Sequence, residues 1–142
     1  MAAFALREHT ADVAVEAQGE HLGATFAAVA DGLAAAMCDD WPAADDPEGG
    51  ERHDLRVESE NPEAALYDYL DQLIYERDVT GVLPVDNDAS VVGTDDEWIV
   101  EASYRGVPLS AVTAREVKAV TYSEMRVERA EDGWEAYVVF DV

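Results

Sequence analysis

The chain has 142 residues, 49% of them hydrophobic, and carries 32 Asp and Glu against nine Lys and Arg, a formal net charge of −23. That length suits one domain, residues 1–142, with a core that needs neither disulfides nor structural metal, and the apolar content excludes a disordered chain. No apolar run nears the roughly 18 residues of a membrane span, and so acidic a chain lacks the clustered Lys and Arg that grip nucleic acid by its phosphates.

Residues 4–7 read as a short edge-like strand, followed by the turn His9-Thr10-Ala11-Asp12 and an alternating strand over residues 13–18 that ends at Gly19. Residues 21–39 carry Leu22, Phe26, Val29, Ala30, Leu33 and Met37 at helical spacing, a helix of about four to five turns. Gly23 and Gly32 inside it each cost about 1 kcal/mol relative to Ala, so close packing on a neighbour is expected there. Cys38, the single cysteine, reads as a small core residue and permits no intrachain disulfide, in keeping with a reducing cytoplasm. Arg7 and Glu8 arrive before any apolar h-region, so no secretory signal is expected.

Pro42 disfavours helical geometry at Trp41 and ends this helix, and residues 43–50 form an acidic loop whose spacing does not match a calcium-binding EF-hand. From Arg52 the period becomes two, with His53, Leu55, Val57 and Ser59 on one face of a half-buried strand. Asn61 and Pro62 start a second helix as N-cap and first helical residue; Leu66, Tyr69, Leu70, Leu73 and Ile74 form its stripe, and it fades over residues 78–81. Residues 82–85 are a short extended piece, and residues 89–92 and 98–104 flank a turn as a hairpin. Residues 107–113 are left unassigned. Residues 117–128 form a long strand, and Asp132-Gly133 turns the chain into a last strand, residues 134–142. There Trp134, Ala136, Val138 and Phe140 face the core and Asp141 the opposite side. The predicted fold is α+β, a largely antiparallel sheet of about six or seven strands with two amphipathic helices on it, in the order ββαβα and then strands.

Asp12 thus stands at the start of one strand and Asp141 at the end of another, with the terminal carboxylate of Val142 beside it. If the two chain ends meet, three oxygen-bearing groups converge; otherwise the first stretch is an ordinary Asp-containing turn. No P-loop, dinucleotide fingerprint, paired-Cys or HExxH zinc pattern, or nucleophile elbow occurs, so no catalytic residue is expected. The acidic excess, with Lys118 the only lysine, points to adaptation to very high salt, where the Debye length falls to about 3 Å and self-repulsion is screened.

His9-Thr10-Ala11-Asp12-Val13 followed by Gly19, the leucine-rich helix ending Leu73-Ile74-Tyr75, the string Glu116-Val117-Lys118-Ala119-Val120-Thr121-Tyr122 and the ending Phe140-Asp141-Val142 occur in an order that resembles the archease family. The resemblance implies a non-enzymatic activator of the tRNA-splicing RNA ligase of the RtcB type, promoting its guanylylation and multiple turnover and widening its nucleotide use. It implies a divalent-cation site at Asp12, Asp141 and Val142, with Ca²⁺ favoured and Mg²⁺ or Mn²⁺ as alternatives, since oxygen-only ligands suit hard cations. His9 either orients Asp12 or caps the turn; Lys118 either contacts the partner or is a charge-paired strand residue. Tyr122 reads as core or rim. The segment 106–114 departs from the family pattern, lacking its acidic residue after the glycine and its histidine near Thr113 and Ala114. The implied partner is the ligase, with no direct nucleic-acid or membrane binding and a cytoplasmic location. The other reading is a chaperone or general modulator in which the carboxylates hold a structural cation.

Overall fold

The computed structural model describes residues 3–8 and 12–142. Strands β1 (Ala3–Glu8) and β2 (Asp12–Gly19) precede helix α1 (Leu22–Met37); β3 (Glu51–Ser59), helix α2 (Pro62–Thr80), β4 (Val82–Gly93) and β5 (Trp98–Pro108) follow. A short 3-10 turn, Leu109–Ala111, leads on to β6 (Ala119–Ala130) and β7 (Gly133–Asp141). The element order matches the one expected. The strands, however, form two antiparallel sheets rather than one: β1-β2-β7-β6 and β3-β5-β4. Alternation fixes which face of a strand is buried but not which strand it pairs with, so the division is not encoded in the pattern.

Both helices are held by their predicted stripes. All six stripe residues of α1 and all five of α2 are buried, and one apolar cluster joins them to both sheets. The helix α1 packs chiefly on β2 and β4, and α2 on β6, β3 and β4, so each helix bridges the two sheets. Two glycines let α1 approach closely. A Cβ at Gly23 would lie 2.3 Å from the Ala89 carbonyl oxygen in β4, and one at Gly32 would lie 2.5 Å from Val15 Cγ1 in β2. The start of α1 is capped by His21, whose Nδ1 accepts from the Ala24 N–H at 3.1 Å, and α2 by Asn61, whose Oδ1 accepts from the Ala64 N–H at 2.8 Å. At the far end of α2, Gly81 takes the left-handed conformation with φ of 75° and donates to the Arg77 carbonyl.

Two boundaries differ from expectation. The pieces read at residues 82–85 and 89–92 are one strand, β4, broken in register between Val85 and Asp88. Asp86 there has φ of 49°, so Asp86-Asn87-Asp88 acts as a bulge where the sequence looks like a strand break. Arg105 secures it: 7% exposed, it donates from Nε to Asp86 Oδ2 at 2.8 Å, and from Nη1 to the carbonyls of Pro42 and Gly49 at 2.8 and 2.6 Å. One guanidinium thereby ties the acidic loop to the bulge. The unassigned stretch is the end of β5, the 3-10 turn and an extended return to α1. There the Arg115 N–H donates to the Met37 carbonyl at 2.6 Å and its Nε to the Ala36 carbonyl at 3.0 Å, which satisfies the last carbonyls of α1. Cys38 is buried beside this return, its Sγ 3.0 Å from the Asp40 carbonyl oxygen and 3.4 Å from that of Thr113, as befits a core residue.

Candidate functional site

The ladder between β2 and β7 begins where Asp12 faces Asp141 and runs to Gly19 facing Trp134. Asp12 and Asp141 are therefore directly opposite, and residues opposite in an antiparallel pair carry Cβ atoms roughly 5 Å apart on one face. Asp141 is also paired on its other side, with Ala119 of β6, and its carbonyl accepts the Lys118 N–H at 2.8 Å. The last strand is thus clamped between two neighbours up to its final residue. Val15 faces α1 through its contact at Gly32, so Asp12 and Asp141 lie on the sheet face turned away from the helix. Asp12 is half-buried, and Asp141 and Val142 are exposed. One row inward on the same face, Ala14 and Val139 are buried, which gives the pair an apolar neighbour on that side.

Like charges directly opposite in a ladder disfavour each other. Among the side chains described, no Lys or Arg forms an ion pair with Asp12 or Asp141. The donor set these positions offer is two carboxylates with the oxygens of Val142 next in the chain, all hard oxygens, which fits Ca²⁺, Mg²⁺ or Mn²⁺ with water or a partner completing the shell. It is a sparse set: among the described residues no group of three or more His, Cys, Asp or Glu side chains is placed to hold a metal ion. His9 lies outside the described residues. Lys118 is exposed next to the pair, placed there by its backbone bond to Asp141.

Of the two readings of Tyr122, core or rim, the structure excludes the core. The residue is 54% exposed and its ring lies flat on Tyr67 of α2, with centroids 4.2 Å apart and planes 9° apart. Tyr67 is off the buried stripe of α2, and a partner in β6 could not be inferred from helical spacing. The stack ties the register break of β6, between Thr121 and Arg126, to α2.

The fold and this site define a small α+β protein whose two helices lie against two antiparallel sheets and in which the pairing of β2 with β7 sets two carboxylates opposite each other. Residues 4–142 match the archease protein family, and the chain belongs to it. It is 33% identical to the protein archease of Pyrococcus furiosus and 35% identical to that of Thermococcus gammatolerans, in each case over 95% of both chains. In three dimensions it is similar to the solution structure of Methanobacterium thermoautotrophicum protein 1598, with a TM-score of 0.80 and 25% identity over 98% of both chains. A second solved structure, an archease from Thermotoga maritima described as a possible chaperone, shares the fold, with a TM-score of 0.63 over 96% of this chain and 94% of that one. Among the described residues no helix is long and apolar enough to cross a membrane.

Proposed function

We propose that this chain is a cytoplasmic, non-enzymatic activator of the tRNA-splicing ligase of the RtcB type, acting through a divalent cation held at Asp12, Asp141 and Val142. The observation that carries the reading is the register that sets Asp12 opposite Asp141 at the ends of β2 and β7. Two facing carboxylates favour a cation between them, and the exposure of Asp141 and Val142 leaves room for a partner's groups to complete the shell.

When bound, the cation would supply positive charge near the phosphates that the ligase transfers. The chain's own residues do the positioning. The pairing of β7 on both sides fixes the Asp141 backbone, β2 fixes Asp12, and the buried Ala14–Val139 row keeps water from one side of the pair. Lys118, held by its amide beside Asp141, would offer a cationic side chain to the partner or its nucleotide. The chemistry remains the ligase's, consistent with a chain in which no nucleophile motif occurs.

The second reading, a chaperone or general modulator with a structural cation, is favoured by the description of the Thermotoga maritima relative as a possible chaperone and by Tyr75 and Val79, exposed one helical turn apart on α2. The two are separated by single- and multiple-turnover ligation with and without the chain. An activator does nothing alone, does not bind broken tRNA alone, and restores multiple turnover to the ligase. Suppressed aggregation of unrelated proteins without a gain in ligase turnover would instead establish the chaperone.

A further inference from the structure

The two sheets present four edge strands, and three of them are guarded. The register of β6 breaks around Glu124, whose φ is 58°; β4 carries Pro84 and the bulge at Asp86. Strand β3 alternates exposed charges, with Arg56 paired to Glu58 at 2.8 Å. These are devices that prevent an edge from accepting another strand. Strand β1, Ala-Phe-Ala-Leu-Arg-Glu, has none over its first four residues: no proline, no charge and no register shift against β2, with Phe4 and Leu6 each 40% exposed.

A groove of about 520 Å³ runs beside this edge, between β1, α1 and the β4 bulge. Phe4, Ala24, Ala27 and Ala28 line its apolar part; further along α1 it reaches Asp31 and, from the bulge, Asp88. Asp31 accepts from the Asn87 N–H at 3.0 Å and from Asn87 Nδ2 at 2.9 Å, both through Oδ1, which leaves Oδ2 to take another donor. A strand added to β1 places alternate side chains on the helix side of the sheet, spaced by about 7 Å per pair of residues. Those side chains would enter this groove, apolar first and then acidic.

We infer that the outer edge of β1 and the groove beside it form a strand-addition site for an extended segment of a partner protein that carries an apolar residue and, two or four residues along on the same face, a Lys or Arg. Main-chain ladder bonds to β1 give the contact its strength, the alanine-lined floor selects small or branched apolar side chains, and Asp31 selects the cation. Charge favours a partner over a second copy. Another copy brings a further net charge of −23, and the one cation in the sequence of its β1, Arg7, is followed at once by Glu8. The site is separate from the paired carboxylates, since the groove touches the Ala3 end of β1 whereas Asp12 lies at the opposite end of β2. It does not rest on the proposed cation.

The test uses the full chain in molar KCl and a short labelled peptide, Thr-Val-Thr-Val-Thr-Arg-Thr, followed by fluorescence anisotropy. Alternate amides of an added strand face the edge, so two N-methylated forms are compared, one at odd and one at even positions. The expected result is saturable binding that one form weakens by roughly tenfold and the other leaves unchanged. Asp31→Asn, which keeps both bonds from Asn87, should weaken binding of the Arg peptide severalfold and leave a form with norvaline in place of Arg unaffected. Ala24→Leu should weaken binding of both. Absence of binding, equal loss with both methylated forms, indifference to Asp31→Asn, or self-association of the chain that the peptide fails to disrupt would overturn the assignment.

Discussion

Asp31 sits half-buried on α1, and burial holds its carboxyl above the usual carboxylate range, an effect partly offset by the bonds from Asn87. A carboxyl whose folded pKa exceeds its unfolded value stabilises the protein below the unfolded pKa, and that contribution is lost as pH rises through the folded value. At neutral pH the ionised Asp31 is therefore a cost. Asp31→Asn, whose side-chain oxygen can still accept from Asn87, should raise the melting temperature at pH 7 by a few degrees at most, given its partial exposure. The gain should vanish as pH falls below the ordinary value of 3.8. A melting series of both proteins across that range measures it, and a lower melting temperature for the variant at pH 7 would contradict it. At this scale the sequence showed Asp12 and Asp141 as facing candidates because each ends a strand of clear alternation. It hid Asp31 and Arg105, whose partners Asn87 and Asp86 lie on a bulge with no alternating signature, and it hid the Tyr67–Tyr122 stack for the same reason: partners far apart in the chain leave no local period.

The helices were legible element by element because their apolar residues recur at helical spacing, over about four turns in α1 and about two and a half in α2, and because Asn61-Pro62 marks the start of α2. Their glycines have a physical role that propensity alone would miss. Gly23→Ala gains about 1 kcal/mol of helix propensity, yet its Cβ would lie 2.3 Å from the Ala89 carbonyl oxygen, a backbone atom of β4. Overpacking of that kind costs about 1–3 kcal/mol, so the net expectation is a loss on the order of 1 kcal/mol, read by denaturant or thermal unfolding at fixed high salt. A stabilised Gly23→Ala would mean that α1 is not pressed against β4. The end of α1 was less legible. Its C-terminal carbonyls are satisfied by Arg115, 78 residues further on, which also holds the Asp39 carboxyl below the usual range by a hydrogen bond at 2.8 Å. The segment 106–114, which departs from the family pattern, is followed directly by this cap for α1.

Across the whole molecule, the division into two sheets escaped the sequence because each strand's face is encoded and its neighbour is not. Strands β2 and β7 come from opposite ends of the chain, and β5 lies between β3 and β4 although α2 separates them from β3 in sequence. The charge excess was legible at once. With 32 acidic and nine basic residues, lowering the ionic strength lengthens the Debye length from about 3 Å at 1 M to roughly 10 Å at 0.1 M and exposes the chain to its own repulsion. Circular dichroism across a KCl series should show loss of the helix and sheet signal below molar salt. An unchanged signal down to about 50 mM would contradict salt adaptation.

The pairing of Asp12 with Asp141 is tested most directly by a double-mutant cycle on ligase turnover at fixed salt and divalent metal, with a melting curve for each variant. If the two carboxylates serve one cation, Asp12→Ala and Asp141→Ala should each remove most of the activation, the double variant should be little worse than either, and folding should be preserved. Melting temperatures without added metal should be unchanged or slightly higher, since removing one of two facing like charges relieves a few tenths of a kcal/mol of repulsion. Additive losses that follow the melting temperature, or full activation by Asp12→Ala, would contradict a shared site.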